Sequence, residues 1–160
     1  MLSSNGWEYV QRTNAAGIVV IVAVTKDDEL VLVEQHRPPV SASVIELPAG
    51  LAGDIVGQED EDLAVAAARE LEEETGFVAA EMRPLMVGPT SAGMTDELIS
   101  IFLATGLERR GVGGGDQTED ISVHLVSLGS VVAWLNAAQA RGALVDPKIY
   151  AALFFAQHGR

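Results

Sequence analysis

Four carboxylates fall within five consecutive residues of the segment Arg69-Glu70-Leu71-Glu72-Glu73-Glu74-Thr75-Gly76-Phe77, directly after an Ala-rich run from Leu63 to Ala68. The run predicts a helix, and a helix decides which carboxylates meet. Residues three and four apart share a face, with Cβ atoms about 5–6 Å apart, so Glu70 adjoins both Glu73 and Glu74 while Glu72 points away. Two carboxylates about 5 Å apart repel by roughly 3 kcal/mol at an effective dielectric near 20, and by under about 1 kcal/mol in open water. On the surface such a run is a solvated face, as most Glu runs are. In a cleft it requires a cation. Mg²⁺ meets the requirement, because it takes oxygen ligands and combines one or two protein carboxylates with substrate phosphates.

The rest of the composition agrees with a cation-dependent site in an acidic protein. Lys plus Arg is 10 and Asp plus Glu is 23, so the net charge is 10 − 23 = −13. That balance disfavours nucleic acid and anionic membranes as partners. It also repels a phosphate substrate unless metal ions neutralise the site. With 160 residues, 48% of them hydrophobic, the chain is expected to fold as a single domain over 1–160. There is no cysteine, hence no disulfide, which fits a reducing cytoplasm. The apolar run Ala15 to Val24 is too short to span a bilayer, and the polar segment Ser3 to Asn14 ahead of it is unlike a signal peptide. The run reads as a buried strand.

Along the chain, strands are expected at Trp7–Gln11, Gly17–Thr25, Leu30–Glu34, Val44–Leu47, Glu81–Val87 and Leu98–Thr105, with another around Ile121, Val123 and Leu125. Lys26-Asp27-Asp28-Glu29 marks a hairpin turn, and Pro38-Pro39 breaks the pattern. The Glu-rich helix is expected from about Glu59 to Thr75, stopped by Gly76 in the position after a helix that favours glycine. Arg109 to Gln117 is a Gly-rich loop. Ser130 to Arg141 is an amphipathic helix, and Asp146-Pro147 opens a last one. Strands interleaved with three helices imply an α/β sandwich around a mixed sheet.

The order of residues around the Glu run resembles the Nudix box. Arg69 to Phe77 matches its ending, Arg-Glu-apolar-x-Glu-Glu-x-Gly-apolar, and Glu61 precedes Arg69 with seven residues between them, where the box has its first Glu. Glu46-Leu47-Pro48-Ala49-Gly50 is similar to the strand and loop that lead into the box, with Gly50 as the opening glycine. One departure is plain. The box has five residues between that glycine and the first Glu, whereas Leu51 to Asp60 are ten. They read as a loop insertion, which surface loops tolerate at little entropic cost.

The resemblance implies the Nudix fold, an α/β/α sandwich with a mixed central sheet, and a pyrophosphohydrolase. It implies Glu70 and Glu74 as the principal metal ligands, with Glu73 as ligand or close partner and the carbonyl of Ala49 as a further one. The ion expected is Mg²⁺, with Mn²⁺ as an alternative. Glu61 would orient the ligands or hold water, and Arg69 would pair with a carboxylate and fix the helix to the loop. The segment Gln117 to His124 resembles the part of ADP-ribose pyrophosphatases that carries the general base. Glu119 matches it, Asp120 is the fallback, and Glu73 and Glu74 complete the catalytic set. Arg37, in Glu34-Gln35-His36-Arg37-Pro38-Pro39, would grip phosphate, since a guanidinium makes bidentate contacts. Trp7 and Tyr9 could stack a base, and Glu97 could contact the ribose or a water. Leu71, Phe77 and Trp134 read as core residues, and His36 and His124 as structural or exposed.

The resulting expectation is hydrolysis of a nucleoside diphosphate sugar, with ADP-ribose going to AMP and ribose 5-phosphate. Ala92 stands where the ADP-ribose branch has Pro, which leaves room for GDP-mannose or another nucleotide sugar. A nucleoside triphosphate housecleaning enzyme is the rival within hydrolases, and a non-catalytic nucleotide sensor the rival outside them. The N-terminal strand suggests a homodimer.

Overall fold

The computed structural model describes residues 1–115 and 120–158. It opens on a hairpin in which β1 (Leu2–Ser4) pairs antiparallel with β2 (Trp7–Tyr9). Asn5 and Gly6 turn it, both at positive φ, the conformation an Asn-Gly turn supplies between two strands. The strand expected over Trp7–Gln11 is therefore three residues long. Beyond it, Val10 bridges to Thr95 and its N–H donates to the Met94 carbonyl at 2.8 Å.

The chain continues through β3 (Gly17–Ala23), β4 (Glu29–Arg37), a single 3₁₀ turn at Pro38–Val40, β5 (Ala42–Glu46) and β6 (Ala49–Ala52). Then come α1 (Leu63–Thr75), β7 (Phe77–Val78), β8 (Glu81–Pro89) and β9 (Leu98–Thr105). β10 (Glu108–Arg109), β11 (Ser122–Ser127), α2 (Val131–Ala140), β12 (Leu144–Val145) and α3 (Lys148–His158) complete it. β4 runs past the expected Leu30–Glu34 as far as Arg37, which pairs with Ala42 of β5. That extension carries Arg37 to the end of a ladder.

Two four-stranded sheets form, in the orders β6-β3-β9-β8 and β11-β4-β5-β12. Both are mixed: β3 runs parallel to β9 and β12 parallel to β5, and the other pairings are antiparallel. The α/β class expected from the sequence holds, with two mixed sheets where one was expected. β3 is buried on both faces, so its alternate residues serve different layers. Val20 and Val22 join Leu30, Leu32, Leu135 and Ile149 in the layer under α2 and α3. Val19, Ile21 and Ala23 join Ala66, Ala67, Leu71 and Phe77 in the layer under α1. Leu71 and Phe77 are core residues, as expected.

Helix α1 starts at Leu63 rather than near Glu59, because Asp62 caps it. The Asp62 carboxylate accepts from the N–H groups of Ala64 (2.8 Å) and Val65 (3.4 Å), two of the donors a helix start leaves unmet. The residues just ahead are spent in turns, Gln58 N–H to the Ile55 carbonyl and Glu61 N–H to the Gln58 carbonyl, both 2.9 Å. Gly76 ends the helix at φ 73°, donating to the Glu72 carbonyl.

The Gly-rich segment then folds back over that end. Arg110 and Gly111 N–H donate to the Gly76 carbonyl, Gly114 N–H to the Glu74 carbonyl (2.8 Å) and Gly115 N–H to the Glu73 carbonyl (3.1 Å). These bonds satisfy the last carbonyls of α1. A Cβ at Gly113 would stand 2.5 Å from the Glu74 carbonyl oxygen, so only glycine lets the two backbones approach.

Candidate active site

Helix α1 presents its carboxylates to the turn between β5 and β6. Glu74 is 2% exposed and accepts from the Ala49 N–H at 3.1 Å, which ties the helix to the loop leading into β6. Glu70 lies against Gly50, where a Cβ would stand 1.9 Å from its carboxyl carbon. A side chain at position 50 would fill the space the carboxylate occupies. Glu73 is half exposed, and Glu72 faces solvent.

Arg69 organises this group. Its Nη1 donates to Glu70 (2.8 Å) and Glu73 (3.1 Å), and its Nη2 to Glu61 (3.1 Å) and the Leu51 carbonyl (2.9 Å), with Asp54 3.6 Å away. The expected pairing of Arg69 with one carboxylate is thus a junction of four. The hydrogen bonds from Arg69 hold the Glu61 carboxyl below the usual carboxylate range, and burial works against them. For Glu70 the balance reverses: burial pushes its carboxyl up, against the pull of Arg69.

A cleft of about 480 Å³ opens beside the junction, lined by Arg12, Arg37, Ala49, Gly50, Glu70 and Glu73, with Leu51 of β6 and Asp54 and Ile55 from the inserted loop. Glu70, Glu73, Ala49 and Arg37, all predicted from sequence, therefore come together. Glu74 reaches the same turn, bonded to the N–H of Ala49, itself a residue of the cleft wall. Among the described residues no three His, Cys, Asp or Glu side chains converge as they stand, and Arg69 pairs with both Glu70 and Glu73. Arg37 is paired with Glu46 at 2.7 Å.

Glu97 pairs with Arg12 at 2.7 Å, and Gln11 with Asp96 at 2.5 Å, so the N-terminal segment is fastened to the loop before β9. Arg12 lines the carboxylate cleft and was missed in the sequence. Its one signal is a basic side chain just before the central strand of an acidic chain. Trp7 is 65% exposed and lies apart from the carboxylates, in a shallow pocket with Tyr9, Ala92, Gly93 and Asp96. Glu119 lies outside the described residues, whereas Asp120 is exposed. The residues flanking that segment are tied down: Gly115 to Glu73, as above, and Ile121 N–H to the Gly114 carbonyl at 3.4 Å. His124 plays a structural part, bonded to Glu34 at 3.0 Å and packed against Trp134.

The donor set suits a hard divalent cation. Glu70, Glu73 and Ala49 border one cleft, with no sulfur or imidazole among them, and carboxylate and carbonyl oxygens suit hard ions over softer metals.

Residues 13–153 match the model of the NUDIX domain. The chain belongs to the Nudix family. It is 39% identical over 112 residues to a methanol dehydrogenase activator of Bacillus methanolicus, covering 70% of this chain and 57% of that protein. It is 34% identical over 116 residues to an ADP-ribose pyrophosphatase of Bacillus subtilis, covering 70% and 58%. An ADP-sugar pyrophosphatase of Mus musculus is 32% identical over 162 residues, covering 91% and 71%. The chain thus spans a little over half the length of the first two relatives. A crystal structure of an ADP compounds hydrolase superposes with a TM-score of 0.67 at 24% identity, over 88% of this chain and 70% of that one, and shares its fold. No helix of the described residues is long and apolar enough to cross a membrane.

Proposed function

We propose that this Nudix chain hydrolyses the diphosphate of a nucleoside diphosphate sugar, with ADP-ribose giving AMP and ribose 5-phosphate. One observation carries the reading: Glu70, Glu73 and Ala49 border the same cleft as Arg12 and Arg37. Acidic oxygens for a cation and guanidinium groups for phosphate are the two things a diphosphate needs. The names borne by the Bacillus subtilis and Mus musculus relatives support it.

Glu70 and Glu74, with Glu73 and the Ala49 carbonyl, would hold Mg²⁺, with Mn²⁺ as an alternative. Glu74 also keeps the Ala49 backbone in register with α1 through the Ala49 N–H. The bound ion supplies charge neutralisation for the diphosphate and acidifies water. Arg37 and Arg12 grip phosphate oxygens, exchanging Glu46 and Glu97 for substrate. Glu119 takes the proton from the attacking water. Trp7, exposed on its hairpin, offers a stacking face in a homodimer, where a second copy brings it to a cleft. The cytoplasm is the compartment we assign, on the lack of cysteine.

The test is to incubate the protein with Mg²⁺ and a panel of ADP-ribose, GDP-mannose, other nucleotide sugars and dGTP, and to identify products. AMP from ADP-ribose is expected. Turnover of dGTP alone would transfer the reading to triphosphate housecleaning, and binding without any product would favour a sensor. Sedimentation at two protein concentrations tests the homodimer, and a monomer at both would remove Trp7 from the site.

A further inference from the structure

We propose that the inserted loop is a specificity wall, on which Ile55 packs against the sugar of the substrate and Asp54 accepts hydrogen bonds from its hydroxyls. The inference rests on the nucleotide-sugar reading and deepens it.

The loop has a defined shape, set by three local features. Gly53 sits at φ 72°, and a Cβ there would stand 2.6 Å from the Glu59 carbonyl oxygen, so the loop folds closely back on itself. Two successive turns, closed by the Ile55 and Gln58 carbonyls, continue it to the cap of α1. At its root, Gly53 N–H donates to Glu61 at 3.4 Å, and Glu61 is held by Arg69. The loop is therefore anchored to the residue that also holds Glu70 and Glu73.

Within that shape, two side chains reach the cleft. Ile55 is half-buried on its wall, whereas the next residue, Val56, is 95% exposed. Asp54 lines the same cleft, with Oδ1 3.6 Å from Arg69. A carboxylate there repels a diphosphate, so the group that faces it is neutral and rich in donors. A sugar fits both residues, presenting hydroxyls to Asp54 and an apolar C–H face to Ile55. Small pockets commonly work this way, mostly apolar with a few placed polar groups. The loop from Gly53 to Asp60 thus acquires a task beyond joining β6 to α1.

The experiment compares ADP-ribose with ADP, which share base and diphosphate and differ in the sugar. Binding is measured by calorimetry in Ca²⁺, and turnover in Mg²⁺, for the wild type, Ile55→Ala and Asp54→Ala. Thermal melts check that the variants fold. Each variant is expected to lose roughly five- to tenfold in affinity for ADP-ribose and less than twofold for ADP. In turnover the loss is read in kcat/KM for ADP-ribose. An ADP-ribose to ADP affinity ratio unaltered in both variants overturns the wall, as does a wild type with no preference between the two ligands. A wild type that prefers ADP-ribose, loses that preference in Ile55→Ala and yet releases no AMP keeps the wall and overturns the hydrolase.

Discussion

Arg69 carries one positive charge and meets Asp54, Glu61, Glu70 and Glu73. The carboxylates respond differently because hydrogen bonds from Arg69 dominate at Glu61 and burial dominates at Glu70, and two predictions follow from the signs. Glu61 has a folded pKa below its unfolded value of about 4.3. Its contribution to stability is fully present above that unfolded value and is lost as pH falls through the lowered folded one. The stability gap between wild type and Glu61→Gln, followed by urea unfolding, should be flat from neutral pH down to about 5 and should shrink below about pH 4. A gap that widens in acid would reverse the sign. Glu70 is the opposite case. Its folded pKa is raised, so the charged form costs stability at neutral pH, and that cost is relieved as pH falls through the raised folded value towards the unfolded one. In metal-free buffer Glu70→Gln should raise Tm, while hydrolysis in Mg²⁺ falls about a hundredfold or more; an unchanged rate would remove Glu70 from the ligand set. The sequence displayed these Glu residues through their spacing. It did not display Arg12, because a lone arginine belongs to no period, nor the reach of Asp54, because the path of an inserted loop is set by its turns.

At the scale of elements, α1 depends on its two ends. Asp62 caps the start, and the Gly111–Gly115 segment clasps the finish. Gly113→Ala should cost about 2–3 kcal/mol, from a left-handed backbone and a Cβ overlapping the Glu74 carbonyl. Gly57→Ala is the control: it shares positive φ but has nothing within 4 Å, so about 1 kcal/mol is expected. Chemical denaturation measures both, and equal losses would mean that the clasp adds nothing. Where the period is long, sequence and structure coincide. β9 spans Leu98–Thr105 as expected, and Gly76 stops α1 where a glycine should. Two-residue strands such as β7, β10 and β12 carry no period and escaped notice. β1 escaped too, although Asn5-Gly6 marked its turn. The start of α1 was misplaced because acidic residues before a cap resemble a first helical turn, and only the hydrogen bonds of Asp62 decide between them.

Across the whole molecule, a net charge of −13 opposes the approach of an anionic substrate. Screening should relieve this, since the Debye length falls from about 30 Å at 0.01 M salt to about 8 Å at 0.15 M. At fixed Mg²⁺, kcat/KM for ADP-ribose should therefore rise severalfold over that range before specific salt effects intervene. A steady fall would indicate that the local field at Arg12 and Arg37 outweighs the global one. The layered plan was legible because β3 is apolar throughout and β9 is broken only by Ser100 and its terminal Thr105, which requires cover on both faces. The division into two sheets was not, because strand order depends on pairings distant in sequence. The clasp at the end of α1 carries a lesson for engineering. Anyone grafting the acidic helix onto another scaffold must bring the distant glycines with it, for the pair behaves as one cassette, and the helix transplanted alone would arrive with its last carbonyls orphaned.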